Sequence, residues 1–286
     1  VVEGKENQDF GQFLPKIALQ YNFNDNHRLF FTSARGYKAG GYNIQMFSDL
    51  VQGKLMGGMP GSGGAAPASD IEKTISYRPE FNWNNEIGYS GEVIQNKLSL
   101  SGALFYICSK DQQVVQFAGT SGFGRVAKNA GKSYSTGAEL SVKYKIISNL
   151  EANFNYGYTY SKFTEYTDNQ NDYAGKFVPF VPQNTVSLFL LYSKALSGKF
   201  IDKFSLSAQY NGAGKIYWTD KNDVIQDFYS TLDIGGSINF SIFEVGMWLR
   251  NATNSRYNTF YFETLGTGIA QLNRPLNFGT DIKIRF

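Results

Sequence analysis

Residues 275–286 read PLNFGTDIKIRF, and the sequence ends there on an aromatic residue. Side chains of an extended strand alternate between its two faces, so one face of this segment is apolar and the other is polar. The apolar face carries Leu276, Phe278, Ile282, Ile284 and Phe286. The polar face carries Asn277, Gly279, Asp281, Lys283 and Arg285. The pattern predicts a β-strand with one apolar and one aqueous side, as in a membrane barrel or a soluble sandwich.

The same alternation recurs upstream and predicts about eleven strands in all. Its cleanest example is residues 150–160, where apolar and aromatic residues alternate with Glu151, Asn153 and Asn155. The connections alternate between short turns and long loops, which is typical of a barrel with tight turns on one membrane side. Many strands also place aromatic residues near one end, where rings suit the water–lipid boundary. Together these features favour an all-β, antiparallel transmembrane β-barrel, with Phe286 as its membrane-insertion signal.

Composition excludes several other classes of protein. The chain has 286 residues, a net charge of +3, and no apolar run of the ~20 residues that a membrane-spanning helix requires. Cys108 and His27 are the only residues of their types, so we expect no disulfide framework, no metal site and no cofactor. A hydrolase would need a nucleophile with a histidine base. Because the only histidine, His27, lies beside a predicted short turn, we expect no enzymatic activity.

The predicted number of strands is odd, and this affects how the barrel can close. Bacterial single-chain barrels have an even number of antiparallel strands, so about eleven strands cannot close. Residues 1–10 could add a twelfth strand, but VVEGKENQDF is polar and irregular. An open sheet cannot lie in lipid with unpaired backbone groups. We therefore expect the chain to be part of a larger barrel.

Six segments, in this order, resemble the C-terminal half of a TonB-dependent outer-membrane receptor. They are residues 15–43, 78–91 (RPEFNWNNEIGYSG), 128–144 (KNAGKSYSTGAELSVKY), 177–192, 249–257 (LRNATNSRY) and 278–286. The resemblance implies a 22-stranded barrel in the outer membrane of a Gram-negative bacterium, with residues 1–286 as its C-terminal part. It also implies a plug and first barrel half outside this chain, and import energised by the TonB complex.

The resemblance extends to cargo and partners. Residues 129–140 and 78–91 are most similar to the ferric-siderophore branch, although importers of glycans or cobalamin share the architecture. The residues expected to bind substrate are aromatic or cationic and lie in or near long loops: Tyr37, Tyr42, Arg125, Tyr217, Trp218 and Tyr261. Polar residues expected to face the plug or water are Glu86, Glu139, Lys143, Asp233 and Arg285. Outer-membrane lipid and a surface lipoprotein are further expected partners, whereas nucleic acid is not.

Two alternatives remain open at this point. A passive porin or a twelve-strand autotransporter translocator would also show alternating strands and a terminal aromatic residue, although it would lack the ordered set of segments.

Cys108 is interpreted as a small buried or lipid-facing residue, because no neighbouring histidine or metal-ligand set would activate its thiol.

Overall fold

The computed structural model describes residues 9–43, 76–117, 125–129, 131–167, 171–196, 200–264 and 267–284. Within these residues the regular structure is all β. The long strands are β1 (Lys16–Asn24), β2 (His27–Lys38), β5 (Glu80–Ile94), β6 (Leu98–Lys110), β9 (Lys132–Ile147), β10 (Leu150–Glu165), β11 (Asn184–Ala195), β12 (Lys203–Gly214), β15 (Tyr229–Phe240), β16 (Phe243–Arg250) and β19 (Asn277–Ile284). No helix in the described part of the chain is long and apolar enough to cross a membrane.

Among the described residues, these eleven strands form one antiparallel sheet in the order β1-β2-β5-β6-β9-β10-β11-β12-β15-β16-β19. Each long strand therefore pairs with the next long strand along the chain. This arrangement confirms the predicted strand number and the antiparallel topology. Arg285 and Phe286 lie outside the described residues, so the insertion signal expected at Phe286 stays a prediction.

The connections confirm the predicted alternation between short and long. The short turns are residues 25–26, 95–97, 148–149, 196–202 and 241–242, and the long loops are residues 39–79, 111–131, 166–183, 215–228 and 251–276. Four of the long loops contain a two-stranded hairpin. These hairpins pair β3 (Gly41–Tyr42) with β4 (Ser76–Tyr77), β7 (Gln113–Phe117) with β8 (Arg125–Asn129), β13 (Ile216–Tyr217) with β14 (Ile225–Gln226), and β17 (Asn258–Thr264) with β18 (Thr267–Leu272). The short turns lie at one end of the strands and the long loops at the other, and we call these the short-turn end and the long-loop end of the sheet.

The strand register gives the sheet one apolar and one polar face. Phe154 of β10 lies opposite Val142 of β9 and Leu188 of β11. The next residue, Asn155, lies opposite Ser141 and Ser187 on the other face. Because directly paired residues share a face, the alternation read in single strands is continuous across the whole sheet.

The apolar face is not packed into a dry core. Side chains on it are largely exposed, including Leu104 at 61%, Met247 at 65% and Ile282 at 70%. The buried apolar residues of the described chain lie instead at the long-loop end, most of them in a cluster around Phe163. A soluble sandwich would bury its apolar faces against each other, so this distribution favours a sheet that turns its apolar face to lipid.

The two outermost strands of the sheet each have one neighbour. Among the described strands, β1 pairs with β2 and β19 pairs with β16. An unpaired backbone group in hydrocarbon costs several kcal/mol. The described strands therefore form an open sheet whose two edges need further strands, as the odd strand number predicted.

Candidate functional site at the long-loop end

Two of the loop hairpins are joined by a pair of asparagines. The side-chain amide of Asn43 donates to the Ala127 carbonyl at 2.9 Å, and the Ala127 N–H donates to Asn43 Oδ1 at 2.8 Å. Asn129 accepts from the Arg78 N–H at 2.7 Å. These bonds hold the β3–β4 hairpin against the β7–β8 hairpin above strands β2, β5, β6 and β9.

The loop of residues 166–183 folds back over the end of β10. Phe163 is 1% exposed and contacts the ring of Tyr166 with centroids 4.8 Å apart, and Tyr166 contacts Tyr173 at 4.9 Å. Val178 completes this buried cluster. Phe163 lies opposite Ser133 on the polar face, so the cluster covers the mouth of the polar side of the sheet.

The loop of residues 215–228 is joined to the loop of residues 166–183 by side-chain hydrogen bonds. Asn222 accepts from the Phe177 N–H at 2.6 Å and donates to the Phe177 carbonyl at 2.9 Å. The Tyr166 hydroxyl donates to Asp220 Oδ2 at 3.1 Å. These two loops are thereby held in a defined arrangement.

Aromatic rings from three long loops meet in this region and form what we call the loop aromatic cluster: Phe180, Trp218, Phe260 and Phe262. Phe180 lies edge-on to Trp218 at 5.6 Å and stacks on Phe260 at 5.7 Å. Phe180 is 47% exposed, whereas Trp218 is buried. No described group accepts a hydrogen bond from the buried indole N–H of Trp218. The cluster therefore offers the open ring face of Phe180 to a ligand.

The six residues predicted to bind substrate are not gathered into one pocket. Trp218 belongs to the loop aromatic cluster, and Tyr261 follows Phe260 in β17. Desolvation and the hydrogen bond that its hydroxyl donates to Glu263 raise the pKa of Tyr261 above its ordinary value.

The other four predicted residues lie elsewhere at the same end. Tyr42 is in the β3–β4 hairpin, and Arg125 begins β8 in the hairpin fastened beside it. Tyr37 lies opposite Phe81 in register with Phe31 and Ile87, on the apolar face. The ring of Tyr217 stacks on Phe177, at a centroid distance of 4.7 Å.

The polar face below the loops carries the residues expected to face a plug or water. Glu86 and Glu139 line one groove of about 460 Å³, together with Ser101, Ser141 and Asn155. Lys143 lies opposite Asn153, while Asp233 accepts from the Asn251 N–H at 2.8 Å. The prediction that these residues contact a plug or water stays untested, and Arg285 is outside the described residues.

Among the described residues, no group of histidine, cysteine or acidic side chains is arranged to hold a metal ion. His27 lies at the short-turn end, where its Nδ1 contacts the Tyr89 hydroxyl at 2.5 Å. Cys108 lies on the apolar face opposite Trp83 and Tyr134, in agreement with a lipid-facing position.

Residues 2–262 match the family model described as TonB dependent receptor-like, beta-barrel. The chain belongs to this family. It is therefore an outer-membrane protein of a Gram-negative bacterium, in a family of transport receptors and not of enzymes. The resemblance seen in the six sequence segments is confirmed.

Individual relatives share the barrel over nearly all of this chain. The pesticin receptor of Yersinia enterocolitica is 27% identical over 99% of the chain, which spans 37% of that protein. The ferric yersiniabactin uptake receptor FyuA from Yersinia pestis superposes with a TM-score of 0.72 at 24% identity, over 96% of this chain and 37% of that one. The siderophore receptor PiuA from Acinetobacter baumannii superposes at 0.67 and 18% identity, over 94% and 35%.

Several residues that organise the site were not expected from the sequence. Phe163 at the end of β10 builds the buried cluster together with Tyr166 and Tyr173 of the following loop. Phe180 and Phe260 form the centre of the loop aromatic cluster. Aromatic residues in a loop rich in Asp and Asn are the one local sign of such a cluster, since their partners come from loops far along the chain.

Proposed function

We propose that this chain forms the C-terminal part of the barrel of an outer-membrane importer of ferric chelates of the siderophore type, energised through TonB. The observation that carries the proposal is the loop aromatic cluster, with its exposed Phe180 ring. The similarity to the pesticin receptor and to the ferric yersiniabactin uptake receptor supports the same cargo class.

The physical fit is between flat rings and a flat, anionic cargo. Ligand sites combine a mainly apolar lining with a few polar groups that set orientation. Phe180 and Phe260 supply stacking surface for such a cargo. Tyr42 and Arg125, in the neighbouring pair of hairpins, would contact a cargo large enough to span both groups of loops.

The test is growth of the parent bacterium on single ferric chelates after deletion of the gene. We expect growth on one chelate to be lost, to return with the wild-type gene, and to return poorly with Trp218→Ala or Phe180→Ala. Loss of a stacked ring at a binding site raises the apparent dissociation constant about tenfold or more. Phe200→Ala is the matched control, because Phe200 is 83% exposed in a short turn at the opposite end.

Two results would contradict this assignment of cargo. Unchanged growth of the deletion strain on every ferric chelate would remove the iron assignment and leave glycan or cobalamin uptake as the remaining import functions. Full complementation by the Trp218→Ala and Phe180→Ala variants would remove the loop aromatic cluster as the binding surface.

Energisation needs a separate measurement. Uptake of the radiolabelled chelate should stop in a strain without TonB, while binding of the chelate to whole cells continues. A passive porin would instead keep importing, at a rate proportional to external concentration.

A further inference from the structure

The loop hairpin of β17 and β18 has one packed strand and one exposed strand. Asn258, at the start of β17, donates from its N–H to Gln226 Oε1 at 3.0 Å, and Phe260 of the same strand stacks on Phe180. In contrast, all six residues of β18, Thr267–Leu272, are exposed. Among the described residues, the hairpin therefore packs against the preceding loops through β17.

Hydrogen bonds at its base fix where this hairpin stands on the sheet. The carbonyl of Tyr257, which precedes β17, accepts from the N–H of Asn273, which follows β18, at 3.1 Å. The Asn251 amide donates to the carbonyls of Ser255 and Arg274 at 3.0 and 3.1 Å. β17 thus stands above β16, from which it continues, and β18 stands above β19, into which it leads. Since β17 faces the preceding loops, the outer edge of β18 lies on the same side as the open edge of β19.

The direction of each backbone group in β18 follows from the hydrogen bond at its end. In an antiparallel strand the N–H and C=O of one residue point to the same side, and successive residues point to opposite sides. Because the Asn273 N–H points to the β17 side, those of Gln271 and Ile269 do so as well. The outward N–H groups, which no described strand receives, are those of Gly268, Ala270 and Leu272.

This outward edge has none of the features that keep exposed edges from pairing. Natural proteins protect such edges with charged residues, proline, bulges or short strands. Residues 267–272 read TGIAQL, without charge or proline, and Ile269 and Leu272 are 44% and 60% exposed. The register shift of the hairpin lies in β17, between Asn258 and Phe260, so β18 is regular. An edge of this kind is typical of a strand that has a partner on each side.

We propose that the outward edge of β18 pairs with an extended segment of the same receptor, contributed by the strand that covers β19 in the barrel. Pairing by strand addition needs a free edge, and its affinity comes from main-chain hydrogen bonds. β19 requires a covering strand, because each unpaired backbone group in hydrocarbon costs several kcal/mol. A strand that covers β19 and continues beyond the membrane would meet β18 directly above it. This continuity favours the receptor's own chain over a second copy or a foreign peptide.

Such pairing would make the wall of loops continuous across the junction of the barrel. Phe260 and Phe262 belong to β17, so a strand added to β18 would support the loop aromatic cluster on the side that faces away from Phe180. The pairing itself involves the backbone of β18 and no cargo. It can therefore fail while the proposed cargo stands, and the reverse.

The experiment measures amide hydrogen exchange at single residues in the complete receptor that contains this chain, purified as a monomer in detergent. We expect the outward amides of Gly268, Ala270 and Leu272 to exchange about a hundredfold or more slowly than free peptide amides. The inward amides of Ile269 and Gln271 should be slow in either case, and they report that the hairpin is folded. Outward amides that exchange at the rate of a free peptide, beside slow inward amides, overturn the proposal.

Two substitutions at Ala270 test the same edge independently. Proline removes the outward N–H, and a strand edge whose N–H faces solvent tolerates it. We expect Ala270→Pro to speed exchange at Gly268 and Leu272 about tenfold or more, because a paired edge would lose a bond between them. Ala270→Ser keeps the N–H and should exchange as the wild type does. Unchanged exchange at both positions in a folded Ala270→Pro receptor overturns the proposal.

Two further arms identify the partner and the folded state. Ile269→Pro removes an inward bond, so it should release the inward and outward amides together and show how loss of the whole hairpin appears. Protection supplied by the same receptor does not depend on concentration, whereas protection by a second copy follows mass action. Outward protection that disappears on dilution would therefore assign the edge to a second copy and overturn the proposal. All variants should run as folded barrels on unheated gels.

Discussion

At the scale of single residues, Gly137 occupies a position of β9 that has no room for a side chain. An added Cβ would clash with the carbonyl oxygen of Tyr158 and with the ring of Phe105, its partner on β6. Overpacking of this kind typically costs 1–3 kcal/mol. We expect Gly137→Ala to lower the free energy of unfolding of the receptor by about 2 kcal/mol, measured as the urea midpoint in detergent.

Gly102→Ala is the matched control for this prediction. A Cβ at Gly102 would lie 3.5 Å from the Glu139 carbonyl oxygen, an ordinary contact. We expect a change within about 0.5 kcal/mol there. Equal effects of the two substitutions would show that the close approach at Gly137 has no energetic consequence.

Asn251 organises the last long loop from a buried position. Its side chain donates to the carbonyls of Ser255 and Arg274 and accepts from the Ser255 N–H, with its backbone at φ 50°. Each intramolecular hydrogen bond contributes about 1 kcal/mol net, and a buried group left unsatisfied costs more. We expect Asn251→Ala to destabilise the loop by about 2–3 kcal/mol and to speed proteolytic cleavage within residues 251–276.

Asn254→Ala separates the buried bonds from the backbone conformation. Asn254 has a similar φ of 49° but is exposed, and its side chain accepts one hydrogen bond, from the Leu276 N–H at 3.1 Å. Its replacement should cost no more than about 1 kcal/mol. If both variants were cleaved at the same rate, the role assigned to the buried Asn251 amide would be wrong.

At the scale of the element, strand β6 tests which face meets lipid. Leu104 projects from the apolar face and is 61% exposed, whereas Ser101 lines the polar groove beside Glu139. An arginine facing lipid costs about 2–4 kcal/mol near the bilayer midplane, and lumen positions tolerate charge. We expect Leu104→Arg to reduce the inserted, folded fraction in vesicles strongly and Ser101→Arg to reduce it little. The reverse order would assign the apolar face to the interior.

At the scale of the whole molecule, the two edge strands β1 and β19 show whether further strands pair with the sheet. In a closed barrel every backbone N–H of β1 and β19 would be paired. We expect alternate amides of both strands, in the complete receptor, to exchange with deuterium as slowly as those of the central strand β10. Fast exchange at alternate positions of β1 or β19 would mean that no further strands cover these edges.

Strand positions, their faces and the order of short and long connections followed from the amino-acid sequence. Each depends on local alternation with a period of two residues. In a membrane sheet each apolar side chain that faces lipid is favourable there on its own, without a specific partner elsewhere in the chain. Residues 150–160 illustrate this, because their predicted faces are those observed opposite Val142 and Leu188. The family resemblance rested on the same ordered segments.

Tertiary structure decided how the loops assemble. Phe180 contacts Trp218 and Phe260, and Asn222 binds the backbone of Phe177. These contacts form because strand pairing places the loops side by side at the long-loop end. No periodic pattern marks such partners, since contacts between distant loops depend on the pairing of the strands that bring these loops together and not on neighbouring residues. For the same reason, the position of Tyr217 beside the ring of Phe177 could be found only from the folded chain.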